Sequence, residues 1–99
     1  MGKTFVYGTF EWDEAKELEN IRKHGVDFKQ ASRAFMDTDR IIAEDSAHSR
    51  AEPRLFCIGL VESKPVTVRF TYRNQTIRII GAGFWRKGTR LYEKEQKRR

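Results

Sequence analysis

Three runs rich in β-branched and aromatic residues, Arg54 to Val61, Pro65 to Tyr72 and Thr76 to Ala82, follow one another with only a few residues between them. Gaps that short cannot hold a crossover connection, so the runs must pair as an antiparallel meander. With Ser63-Lys64 and Asn74-Gln75 as two-residue hairpin loops, Leu60 is expected opposite Thr67, Ile58 opposite Arg69, Phe56 opposite Thr71 and Arg54 opposite Arg73. On the second hairpin Thr71 is expected opposite Arg78, and Arg69 opposite Ile80. Side chains alternate between the faces of a strand. One face is then apolar, with Leu55, Cys57, Val66, Val68, Phe70, Tyr72 and Ile79 among its residues. The other gathers Arg54, Arg69, Arg73 and Arg78 beside Phe56 and Ile58. Four like charges at that spacing repel unless an anion joins them or acidic neighbours pair with them. Phosphate matches guanidinium geometry. Glu44, Glu52, Glu93 and Glu95 are the acidic alternatives. A slip of one residue in either hairpin dissolves the cluster.

The apolar face needs a cover, and the N-terminal third supplies one. In FEWDEAKELENIRKHGVDF, residues 10 to 28, Asp13 is placed to cap a helix that ends in Arg22, Lys23 and His24 before Gly25. Asp27 with Gln30 reads as a capping box for a second helix, and Val26 with Ala31 as its hydrophobic staple. Phe28, Ala31 and Phe35 give that helix a buried side. The predicted elements are a strand end over 10–12, helices over 13–24 and 28–36, a short strand over 41–44, a polar loop over 45–53, the three long strands, a turn over 81–88 and a helix over 89–96. Residues 1–9 are expected as a frayed lead-in or an edge strand, and 97–99 as a fraying basic tail. The fold class is therefore α+β in one domain over 1–99: two N-terminal helices packed on a twisted antiparallel sheet of about four strands, with a C-terminal helix.

Charge is divided unevenly. The first fifty residues hold 8 Lys/Arg and 10 Asp/Glu, the remainder 12 and 4, within a net charge of +6. A basic half points to a polyanionic partner, most simply nucleic acid, against the plainer reading of a solubilising surface. Cys57 is the single cysteine, so no intramolecular disulfide forms; a buried thiol and a reducing, cytoplasmic compartment are expected. No apolar stretch is long enough to span a bilayer, and the N-terminus has no signal-peptide core.

After the third strand comes Gly81-Ala82-Gly83-Phe84-Trp85-Arg86-Lys87-Gly88. Its aromatics suit base stacking and its cations suit phosphate, a combination used on single-stranded RNA. The plainer reading is that Phe84 and Trp85 pack the last helix onto the sheet. His24 and His48 are the two groups suited to proton transfer near neutrality, and His48 lies close to Asp45 in the loop. Two separated histidines and one buried cysteine do not make a zinc site. Nucleophile-elbow, Walker-loop and paired-cysteine patterns are absent, and the dispersed carboxylates do not suit a two-magnesium nuclease.

Phe10-Glu11-Trp12-Asp13-Glu14-Ala15-Lys16, Asn20, Lys23-His24-Gly25-Val26 and Phe28 together resemble the opening signature of BrnT-type toxins. Ala31, Phe35, His48-Ser49, Glu52 with Arg54, Ile58-Gly59, Tyr72-Arg73 and Ile77-Arg78-Ile79-Ile80 continue the likeness to about residue 95. The resemblance implies a RelE-like fold and a type II toxin, a ribonuclease that blocks translation. It also implies a ribbon-helix-helix (BrnA-like) antitoxin, contact with operator DNA only through that antitoxin, and RNA as substrate. A homodimer within that complex and no membrane partner complete the expectation. Where the family carries Ser-Ala-Arg after the last strand, this chain has Gly81-Ala82-Gly83, so an arginine is missing; either Arg86 or Lys87 replaces it or activity is reduced. Pro53 interrupts the usual acidic pair before Arg54.

The expected activity is metal- and cofactor-free cleavage in which the ribose 2′-hydroxyl attacks the adjacent phosphate. Arg54, Arg73 and Arg78 are expected on phosphate, His24 and Glu52 as base or acid, and Arg69, Trp85, Arg86, Lys87 and Phe56 as further RNA contacts. The alternative is a non-catalytic basic module that binds RNA or an acidic antitoxin segment.

Overall fold

The computed structural model describes residues 3–98; Met1, Gly2 and Arg99 lie outside the described residues, and with them the start of the expected lead-in and the end of the expected tail. In chain order the elements are β1 (Thr4–Tyr7), β2 (Phe10–Asp13), α1 (Glu14–His24), α2 (Phe28–Ser32), β3 (Ile41–Glu44), β4 (Leu55–Val61), β5 (Lys64–Arg73), β6 (Thr76–Gly83) and α3 (Arg86–Lys97). Short 3-10 turns lie at Arg33–Met36 and Ser46–His48.

The strands make one sheet in the order β1-β2-β6-β5-β4-β3. The α+β class stands, but the expected antiparallel sheet of about four strands is six-stranded and mixed. Gly8, at φ 62, turns the chain back so that β1 pairs antiparallel with β2. β2 then lies parallel to β6, with Phe10 opposite Ile77 and Trp12 opposite Ile79. A parallel pair needs a long connection. Here that connection is almost the whole chain, which is why no local pattern announced it.

The central meander forms with a different first hairpin. Glu62 and Ser63, at φ 52 and 72, make the turn, and Lys64 already belongs to β5. The register moves by two residues from the expected one: Phe56 faces Arg69 and Ile58 faces Thr67. Because side chains alternate with a period of two, an even shift leaves every residue on its expected face. The second hairpin turns at Asn74-Gln75, with Thr71 opposite Arg78. A β-bulge follows: Phe70 faces Ile79 but Arg69 faces Gly81, so Ile80 is the extra residue. The bulge lets β6 run on to Gly83. Phe84 and Trp85 alone link it to α3, in place of the expected turn over 81–88 and helix from 89.

Capping follows the chain closely. Asp13 Oδ1 accepts from the Ala15 and Lys16 N–H groups at 2.8 and 3.1 Å. Gly25, at φ 69, ends α1. Asp27 Oδ1 accepts from the Gln30 N–H at 2.6 Å. The expected helix over 28–36 is instead five residues of α-helix followed by the tighter 3-10 turn, in which Ala34 is buried against β4. Gly59 permits that approach, since a Cβ there would sit 2.2 Å from the Ala34 carbonyl oxygen.

The core lies between the sheet and α1, α2 and the 3-10 turn, with Trp12, Phe28, Phe70 and Ile79 as its largest buried side chains. Cys57 is within it, and burial pushes its thiol up to about 12, so it is inert as a nucleophile. Tyr72, expected on this face, is exposed. Glu17 joins two parts of the core: one oxygen accepts from Trp12 Nε1 at 3.1 Å and the other from the Phe28 N–H at 2.9 Å. No helix of the described residues is long and apolar enough to cross a membrane.

Two polar groups tie the layers together. Beyond Ile79, β2 no longer pairs with β6, and the buried Asn20 amide of α1 takes its place. Asn20 Nδ2 donates to the Ala82 carbonyl at 2.9 Å, and Asn20 Oδ1 accepts from the Ala82 N–H at 3.1 Å. Nδ2 also donates to the Val26 carbonyl at 2.9 Å. On the other layer, Asp37 accepts from the Tyr92 hydroxyl of α3 and from the Leu60 N–H of β4.

Asn20→Ala leaves three backbone groups without their partners and is expected to cost roughly 3 kcal/mol, at about 1–3 kcal/mol for each orphaned group and partial relaxation. Urea unfolding measures it, and a loss under about 1 kcal/mol contradicts the clasp. For Asp37, burial works against the charge, but the Tyr92 hydroxyl and the Leu60 and Asp39 N–H groups outweigh it and hold the carboxyl below its usual range. A depressed folded value means the contribution is present above the unfolded value of about 3.9 and is lost as pH falls through the folded one. Asp37→Asn should therefore show a smaller difference in urea midpoint between neutral pH and the acid side of that window than the parent protein does.

Candidate RNA-binding site

The sheet face away from α1 and α2 is the one on which alternation places the arginines. α3 packs over part of it, against β5 and β4. Gly88 makes that contact close: a Cβ there would meet Thr67 Oγ1 at 1.9 Å. Between α3, the sheet and the 45–54 loop lies a cavity of about 300 Å³. Phe56, Ile58 and Trp85 supply its apolar walls, and Arg69, Lys87, Asp45 and His48 its charged and titratable groups. Four of the residues expected to touch RNA, Phe56, Arg69, Trp85 and Lys87, thus meet in one place. Arg86 is exposed at the start of α3 and does not line the cavity. No side chain caps the first turn of α3, so the positive end of its dipole stands at the cavity.

Trp85 is held from two sides. Its ring stands edge-on to His24 with centroids 5.2 Å apart. A Cβ at position 83 would meet the indole Cε2 at 2.8 Å. The space into which a side chain at position 83 would project is filled by Trp85. His24 is therefore behind the cavity wall rather than in the cavity.

The remaining arginines form a second group beside the first. Arg73 makes a two-pronged contact with Glu52, Nη2 to Oε1 at 3.0 Å and Nε to Oε2 at 3.3 Å. The Arg73 contact, set against a smaller opposing effect of burial, holds the Glu52 carboxyl below its usual range, with Arg54 and Arg78 contributing through space. Arg78 pairs with Glu11 at 2.7 Å, a partner supplied by the parallel β2–β6 contact and not foreseen. Arg54 and Arg69 make no ion pair among the described residues. Exposure separates the two pairs: the side chains are 49% and 30% exposed for Arg73–Glu52, but 16% and 20% for Arg78–Glu11. An exposed pair is worth about 0–1 kcal/mol and opens easily to a competing anion, whereas a half-buried one resists. The single four-arginine pocket resolves into Arg69 with Lys87 in the cavity, Arg54 and Arg73 around Glu52, and Arg78 tied to β2. Arg69 and Arg73 are four residues apart on β5, about 13 Å at the rise of an extended strand.

The 45–54 loop is firmly closed. The Asp45 N–H donates to the Arg54 carbonyl at 2.7 Å, the Ser49 hydroxyl accepts from the Arg54 N–H at 2.9 Å, and Thr71 Oγ1 donates to the Pro53 carbonyl at 2.6 Å. Within it, the carboxylate of the buried Asp45 accepts from His48 Nδ1 at 2.9 Å. The sequence puts these two residues near each other, but not the direction in which the pair faces.

The family model described as ribonuclease toxin, BrnT, of type II toxin-antitoxin system matches residues 12–88, a span that holds Asn20, the closed loop and every residue of the cavity except Leu91. No curated protein matches the chain.

Gly83→Ala is expected to swing the Trp85 indole away from the cavity wall while leaving the fold intact, because the crowded atoms belong to a side chain and not to backbone. Acrylamide should then quench a larger share of tryptophan fluorescence than in the parent protein, and an unchanged quenching curve contradicts the packing described.

Proposed function

Because the chain belongs to the BrnT family of ribonuclease toxins of type II toxin–antitoxin systems, we propose that it is a metal-independent endoribonuclease that halts translation by cutting RNA on the face shared by β4, β5 and α3. The observation supporting this most is the cavity in which Phe56 and Trp85 offer stacking surfaces while Arg69 and Lys87 stand beside them. A base enters against the rings and its phosphate meets the cations. The uncapped first turn of α3 adds a favourable field for that anion.

Arg54 and Arg73 take the next phosphate along the strand. For Arg73 this means exchanging Glu52 for RNA, an exchange that the exposure of the pair makes inexpensive. Arg78 keeps Glu11 and contributes charge at a distance. Cleavage proceeds by attack of a ribose 2′-hydroxyl on the adjacent phosphorus, with the guanidinium groups stabilising the more highly charged transition state. A toxin of this class acts against an antitoxin, and here a ribbon-helix-helix protein encoded nearby covers the basic face, joins the toxin in a complex with operator DNA and brings two copies together.

The purified protein should cut a labelled RNA in the presence of EDTA, and Arg73→Ala should lower the rate by roughly 10²–10³. RNA that is bound but left whole, with or without added magnesium, overturns the enzymatic reading in favour of a binding module. Cleavage abolished by EDTA overturns metal independence alone.

A further inference from the structure

Resting on the ribonuclease reading, we propose that His48 is the catalytic group that removes the proton from the attacking 2′-hydroxyl, and that Asp45 is the residue positioning it. Three observations support this. His48 and Asp45 line the same cavity as Arg69, Lys87 and Trp85. The Asp45 carboxylate takes His48 Nδ1 at 2.9 Å, which places the ring proton on Nδ1 and leaves the Nε2 lone pair for a substrate. The loop that holds the pair is closed by the Asp45–Arg54 backbone bond and the Ser49 hydroxyl, so the ring is held without help from a ligand.

Asp45 makes the arrangement more than a surface contact. It is 7% exposed, and it precedes the 3-10 turn at Ser46–His48 without capping it. Its carboxylate is spent on the imidazole rather than on the backbone. The other acid–base groups on this side are less suited. Glu52 does not line the cavity that Arg69, Lys87 and Trp85 share. His24 lies beyond Trp85. The charged groups facing His48 across the cavity are Arg69 and Lys87, the two that hold the phosphate.

The step balances without a cofactor. Nε2 of His48 accepts the 2′ proton as O2′ bonds to phosphorus. The P–O5′ bond breaks, its electron pair leaves on O5′, and O5′ takes a proton from water. The products are a 2′,3′-cyclic phosphate and a 5′-hydroxyl, and the imidazolium returns its proton to solvent.

Single-turnover cleavage of a labelled RNA should be measured for the parent protein, His48→Ala, His48→Gln and Asp45→Asn, alongside RNA affinity, pH profile and thermal unfolding. Both His48 variants should lose about 10²–10⁴ in rate, the range of general acid–base catalysis, with unchanged RNA affinity. Imidazole added to the solution should restore part of the rate of His48→Ala, whose cavity then has room for it. Asp45→Asn should lose less and displace the pH profile. Cleavage by His48→Ala at the parent rate overturns the inference and leaves the ribonuclease reading standing. Rate and affinity lost together, without rescue by imidazole, make His48 a binding residue and also overturn it. A parent protein that cleaves nothing overturns both readings at once. If Asp45→Asn unfolds, the exposed His48 positions still decide the matter.

Discussion

The amide of Asn20 stands in for a missing strand. β2 pairs with β6 only as far as Ile79, and the backbone of β6 beyond it would face α1 with its donor and acceptor unmet. Asn20 meets both at Ala82 and reaches the Val26 carbonyl as well. Three facts of the site follow from that one side chain. β6 can continue past the bulge to Gly83, Gly83 can receive the Trp85 ring, and α3 starts where it must to close the cavity. An alanine at 20 has nothing to offer a strand, and an unmet buried amide costs as much as the net gain of several good contacts. The helix and the sheet are joined here by hydrogen-bond complementarity more than by apolar area.

Local signals were readable in proportion to how local their cause is. Asp13, Gly25 and the Asp27–Gln30 pair set the ends of α1 and the start of α2 through contacts within a few residues. The sheet faces were readable for a different reason. The first hairpin turns at Glu62-Ser63 instead of Ser63-Lys64, yet alternation tolerates an error of two, so Phe56 and Arg69 share the expected face. What escaped depends on distant partners. The strand end at residues 10–12 and the edge strand weighed for 1–9 are legible, but the parallel pairing of β2 with β6 is not. The bulge at Ile80 has no signature of its own. The Glu11–Arg78 pair exists only because two strands 67 residues apart run parallel. The cluster of four arginines was the right face with the wrong accounting of its neighbours.

The site also separates charge by availability. Formal charge counts every arginine equally, but the solvent does not. Arg78 and Glu11 are sheltered enough that breaking them strands two charges, while Arg73 and Glu52 stand in water and lose little by parting. Arg69 makes no ion pair among the described residues and so has none to leave. The polar loop that ends at Arg54 is closed by backbone hydrogen bonding and brings Asp45 and His48 into the cavity that Arg69 also lines.

Glu11 has a further effect on how this surface meets a polyelectrolyte. Cations condensed on a nucleic acid are set free as protein cations neutralise its phosphates, and their dispersal favours binding most at low ionic strength. A guanidinium that keeps its own carboxylate neutralises no phosphate and frees no such ion. Arg78, sheltered with Glu11, is a group of that kind. The association of this basic face with RNA should therefore respond to added salt less steeply than its number of arginines suggests, and hold on more evenly as ionic strength varies.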